Sequence, residues 1–194
     1  MTFSHNRYAL KEWDITVRFL RTGRQILLLR KGGIHEQRDG FSVEHKEFFL
    51  FPTYLHQNWQ ALHPSAQSEF ENLPQEPYPD GLIRFDTCAQ VKYVVKIENV
   101  DALRGLDGLH TLSWEAVQQR FHYRDRPGLH LILLQVYWLP TPQWIENRAI
   151  YEGCVSWVQL EDSLSTQGAE SVLSPAEFEA EAQEIHRLIG MSHE

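Results

Sequence analysis

The run from Leu129 to Leu139 constrains the fold most. It is apolar apart from His130 and Gln135 and is followed by Pro140 and Pro142. It falls well short of the roughly 20 residues a helix needs to cross a bilayer, so it reads as a long apolar strand stopped by the two prolines. With 194 residues, 42% hydrophobic and 12% aromatic, the chain can bury such a strand in a sizeable core. The N-terminus lacks a basic segment followed by an apolar one, and the expectation is a cytoplasmic chain with no membrane partner.

Around this strand the pattern is mixed. Leu10, Trp13, Val17 and Leu20 recur at helical spacing through Tyr8 to Arg21, while Ile15 to Phe19 also alternates, so an amphipathic helix and a hairpin both fit. Ile26 to Leu29 reads as a buried strand ending at a Gly32-Gly33 turn. Phe41 to Phe51 is a strand broken at Pro52, and Gln57 to Leu73 suggests helical segments interrupted by Pro64. Pro74, Pro77 and Pro79 mark a loop. Val91 to Val100 alternates as a half-buried strand, Ser113 can cap a helix through Phe121, and Val155 to Leu160 is a final strand. Without a strict βαβ rhythm, this predicts an α+β fold with a curled mixed sheet or β-barrel and flanking helices.

The C-terminal part differs in charge. Residues 161–194 carry eight acids against Arg187, a net of −7, which leaves the rest at −1 of the total −8. The expected organisation is a single domain over 1–160, a linker over 161–173 and an amphipathic helix over 174–190. Ser174 and Glu177 form a capping box, Pro175 opens the helix, and Phe178, Ala182, Ile185 and Leu188 make one apolar stripe. That stripe needs a partner, the chain's own core or another protein.

Chemistry concentrates near the end of the second apolar run. Arg18, Arg21, Arg24, Arg30 and Lys31 fall in a stretch without an acid, which suits an anionic partner. Arg30 and Lys31 follow a strand and emerge where side chains leave the core; Thr53, Tyr54, His56 and Gln57 follow Pro52 in the same way. With His35, these residues are expected to line one cleft for a nucleotide or an RNA segment, the cations meeting phosphate and Tyr54 stacking on a base. The opposite arrangement, with the two segments at different ends of the sheet, fits the sequence as well.

Glu44-His45-Lys46 has the Glu-x-Lys form of metal-dependent nucleases, in which the carboxylate holds a divalent ion and the lysine positions or activates water. His35, His45, His56 and His63 lack His-x-x-x-His spacing, so no metal site and no cofactor is assigned. Cys88 and Cys154 lie far apart and read as buried thiols. No nucleophile elbow or Walker loop appears. Three functions remain: an RNA or nucleotide binder, a metal-dependent nuclease using Glu44 and Lys46, and a protein-interaction module working through the tail helix.

Several segments carry a family likeness: Gly23-Arg24-Gln25, Leu28 through Ile34, Leu50-Phe51-Pro52-Thr53-Tyr54, His56-Gln57 and Gly153-Cys154-x-Ser156-Trp157. On these the chain resembles a bacterial family catalogued only as a domain of unknown function, number 1802 (DUF1802). The order of its elements is also similar to the PUA-like barrels, including the ASCH group. That resemblance implies RNA binding or modified-nucleoside chemistry, and in some of those enzymes a lysine and a glutamate act together. Lys31 with Glu36 or Glu44 would be the nearest equivalents, and the long Phe41 to Gly81 insertion departs from the pattern.

Overall fold

In the computed structural model, residues 4–31, 34–37, 40–54, 56–73, 78–153 and 155–191 are described, those of 34–37, 40–43 and 79 by backbone only. Along the chain run β1 (His5–Trp13), α1 (Asp14–Arg21), β2 (Leu27–Arg30), β3 (Ile34–Gln37), β4 (Gly40–Val43) and β5 (Glu47–Thr53). There follow α2 (Pro64–Glu71), β6 (Leu82–Ile97), α3 (Trp114–Phe121), β7 (Leu129–Glu146), β8 (Trp157–Ser165), β9 (Glu170–Ser171) and α4 (Pro175–Leu188). Seven strands form one sheet in the order β2-β7-β6-β5-β1-β8, with β9 on β7, while β3 and β4 pair as a separate hairpin. Among the described strand pairs only β1 and β5 run parallel. The fold is thus α+β with a curled mixed sheet.

The first segment is neither one helix nor a hairpin. Leu10 and Trp13 belong to β1, whose backbone is held by β5 on one side and β8 on the other, and the helix starts only at Asp14. Asp14 then takes a bond from Arg18 one turn on, at 2.8 Å, and its charge favours the helix N-terminus. Strand pairing outweighs the helical spacing at Leu10 and Trp13, while Val17 and Leu20 keep it in α1.

Four prolines act differently from their local reading. Pro52 does not end β5: β6 pairs only with Glu47–Phe49, so Pro52 sits where one side of the strand is open. Pro140 and Pro142 do not end β7. Its register with β6 steps from Trp138 opposite Thr87 to Gln143 opposite Phe85, so the prolines fall in a bulge and pairing resumes to Glu146. Pro64 opens α2 rather than interrupting a helix, because the first helical position has no N–H to lose. The stretch 161–173, read as a linker, contains the second half of β8 and all of β9, each paired within the sheet.

α4 has its capping box, with Glu177 accepting from the Ser174 N–H at 2.8 Å. Phe178, Ala182 and Ile185 are buried on the chain's own core against Ile26, Leu29, Leu131, Leu133, Val117 and Phe121. Tyr93 reaches from β6 to bond Glu179 at 3.0 Å. The apolar stripe is therefore consumed within the chain. Cys88 is fully buried, and burial pushes its thiol up to about 12; Cys154 lies outside the described residues, as does the Gly32-Gly33 turn.

Candidate functional site

Parallel pairing fixes where the site lies. Glu12 stands opposite Pro52 and Trp13 opposite Thr53, so β1 and β5 deliver their C-terminal ends side by side. β2 stands four places from β1 in the sheet order, which in a flat sheet would be about 19 Å away. Yet Arg30, at the end of β2, bonds the Lys11 carbonyl at 3.2 Å and pairs with the Glu12 carboxylate. The sheet therefore curls until its far strand meets β1, and Arg30 staples the opening.

At this opening lies a cavity of about 510 Å³, walled by Lys11, Glu12, Trp13, Arg30, Lys31, Thr53, Arg120 and Tyr123 among others. Among the described residues of its wall four cations face one acid, a local excess of three positive charges in a chain of net −8. The cations differ in what they already hold. The Arg30–Glu12 pair is mostly buried, its side chains 14% and 11% exposed. Lys31 turns its ammonium to the carbonyls of Phe121 (2.9 Å), Gly128 (2.8 Å) and Arg126. Lys11 bonds the carbonyls of Gly153 (3.0 Å) and Tyr151.

Arg120 is different. Among the described residues its one hydrogen bond is a long 3.4 Å contact to the Leu29 carbonyl, and its guanidinium lies 5.2 Å from the Trp13 ring. Burial pushes its pKa below the ordinary value, opposed by Glu12 and assisted by Arg30. An arginine stays charged under any working condition, so a partly buried cation with most of its five donors unused faces the cavity.

A second cavity of about 560 Å³ adjoins the first and shares Lys11 and Thr53 with it. Its walls carry four aromatic rings, Phe51, Tyr54, Tyr78 and Tyr151, beside Asn147 and Glu152. Burial and the nearby Asp14 carboxylate push both Tyr54 and Tyr78 upward, Tyr78 to about 12. These phenols are neutral donors over the whole physiological range.

Of the residues expected to meet, Arg30, Lys31 and Thr53 line the first cavity, and Thr53 and Tyr54 the second. Gln57 does not join them; its amide oxygen accepts the Ile15 N–H at 3.2 Å. His56 is exposed, with φ 61°, and lines neither cavity. The side chains of His35 and Glu36 lie outside the described residues. Glu44 and Lys46 precede β5, whose far end at Thr53 is seven residues or about 23 Å of extended chain from Lys46, so they stand away from this opening. His45 between them stacks on Tyr8 at 3.6 Å, and burial lowers its pKa. Among the described residues no group of three His, Cys, Asp or Glu could hold a metal ion, and no helix is long and apolar enough to cross a membrane.

Sequence reasoning missed Lys11, Glu12, Arg120 and Tyr123. The run Arg120, Arg124, Arg126 with Tyr123 after a capped helix was a signal, but it matches any solvated helix end. Only the curl of the sheet shows that it returns to β2.

Fold and site together define an α+β protein whose curled mixed sheet opens onto a cationic cleft with an aromatic annex. Within that class, the chain belongs to the family described as a domain of unknown function (DUF1802), which matches residues 9–184. A search of curated proteins finds no match. Among solved structures the chain is similar to ASCH from Zymomonas mobilis, at 11% identity, with 79% of this chain and 87% of that one covered and a TM-score of 0.46. Two mutant forms of the same Zymomonas mobilis protein match at 12% and 13% identity. They cover 81% and 79% of this chain and 91% and 89% of theirs, with TM-scores of 0.46 and 0.45.

Proposed function

We propose that the cationic cleft binds a phosphate-bearing ligand, a nucleotide or a segment of RNA. Arg120 carries the reading. A guanidinium that is partly buried yet holds a single 3.4 Å bond is a poor arrangement for stability alone, because desolvating a charge without partners is costly. A phosphate in the cavity would supply those partners in the bidentate geometry arginine favours. Arg30 supports it less directly, since it is already engaged by Glu12 and serves chiefly to close the curl.

The test is binding of a short labelled RNA and of nucleoside monophosphates across a salt series, by anisotropy and calorimetry, for the wild type and Arg120→Ala. Affinity of the wild type should fall with salt as counterions are released. Arg120→Ala should weaken binding by roughly 10- to 100-fold, the worth of a charge-assisted bond of about 1.5–3 kcal/mol, and for RNA reduce the salt slope by about one. Equal binding by both proteins at every salt concentration, or none by the wild type, would refute the assignment.

A further inference from the structure

We infer that the aromatic cavity beside the cationic cleft seats a flat heteroaromatic ring of the nucleobase kind, so that the ligand is a nucleoside phosphate lying across Lys11 and Thr53. This rests on the phosphate reading above and adds the other half of the ligand.

The walls of the cavity offer ring surface rather than hydrogen-bonding groups. Tyr78 spends its hydroxyl on the Pro52 carbonyl at 3.0 Å, and the Tyr151 oxygen accepts the Glu161 N–H at 3.1 Å. Tyr54 has its phenol beside Asp14. Tyr54 and Tyr78 meet edge to face, 5.5 Å apart at 87°, and Phe51 and Tyr151 do the same at 6.2 Å and 71°. Rings fixed in this way, with their polar ends already used, match a planar group that gains by stacking and edge contact.

Four aromatic walls could instead suit a cation, and Lys11 decides between the two. Its ammonium stands 5.5 Å from the Phe51 ring centre and is held by the Tyr151 and Gly153 carbonyls, so the cation–π position is filled from within. A second cation would meet that charge, whereas a neutral ring would not. At the polar edge of the cavity stand exposed Glu152, whose charge the Lys11 ammonium in the same wall offsets, and Asn147, whose side-chain amide offers both a donor and an acceptor. That pairing suits the edge of a base. Because Lys11 and Thr53 stand in the walls of both cavities, a ligand lying across these two residues would place its ring in one cavity and its phosphate in the other.

The experiment compares ribose 5-phosphate with the four nucleoside 5′-monophosphates by calorimetry on the wild type, Tyr78→Leu, Asn147→Ala and Arg120→Ala. At least one monophosphate should bind the wild type about tenfold or more tighter than ribose 5-phosphate, the gain expected of a stacked base. Tyr78→Leu should remove most of that gain, and exposed Asn147→Ala a few-fold of it, while both leave ribose 5-phosphate binding unchanged; Arg120→Ala should weaken all of them. If ribose 5-phosphate binds and no base adds affinity, or if Tyr78→Leu and Asn147→Ala spare the gain, the ring site is overturned and the phosphate site stands. If no phosphate binds the wild type, both readings fall.

Discussion

Replacing Phe178 by alanine tests how the acidic tail contributes to the fold. Phe178 is 1% exposed in the main core, with Ile26, Leu133 and Ala182 in the same cluster and the Tyr93 ring parallel to its own at 6.5 Å. Truncating a buried phenylalanine costs about 3–5 kcal/mol, the lost transfer energy plus the cavity left behind. For a chain of this size each kcal/mol shifts the melting temperature by about 2–4 °C, so a fall of roughly 6–20 °C is expected. Scanning calorimetry at two protein concentrations tenfold apart measures it, with exposed Gln183→Ala as control. Because α4 packs on its own chain, neither protein's transition should move with concentration. A shift for Phe178→Ala no larger than the control's, or a wild-type transition that rises with concentration, would refute docking within the chain.

Two further outcomes follow from His110 and Lys31. His110 is 3% exposed, its Nδ1 accepts the Leu112 N–H at 3.2 Å, and burial pushes its pKa to about 4 from an ordinary 6.5. Between those values the unfolded chain binds the extra proton, so His110's contribution is full above pH 6.5 and declines as pH falls to about 4. The loss should reach about 3 kcal/mol and be largely absent from His110→Gln in urea titrations at pH 7 and pH 4.5. Lys31→Met removes the ammonium from three carbonyls that close residues 121–128, where Arg124 and Asp125 both hold left-handed φ angles of 59° and 53°. Amide exchange over 122–128 should accelerate by about tenfold or more while α4 keeps its protection; unchanged exchange would sink the latch.

Where a signal acts over a few residues, it was legible. The Ser174–Glu177 box, the Ser113 cap, the exit of Arg30 from an apolar strand and the α+β class all follow from spacing within one or two turns of chain. Such signals depend on local backbone geometry, which the neighbouring residues set. The prolines show the boundary: Pro52, Pro140 and Pro142 look like strand ends in isolation and are carried within strands because the partner leaves an open side or makes room for a bulge. The sequence names Arg30, Lys31, Thr53 and Tyr54 but not how they meet, which lies beyond that boundary. Arg30 and Thr53 share an opening because β1 and β5 run parallel and because the sheet curls far enough for β2 to reach Glu12. Arg120 joins them because Lys31 ties the end of α3 to the end of β2. Those are long-range pairings, settled by the sheet as a whole, and no window of sequence contains them.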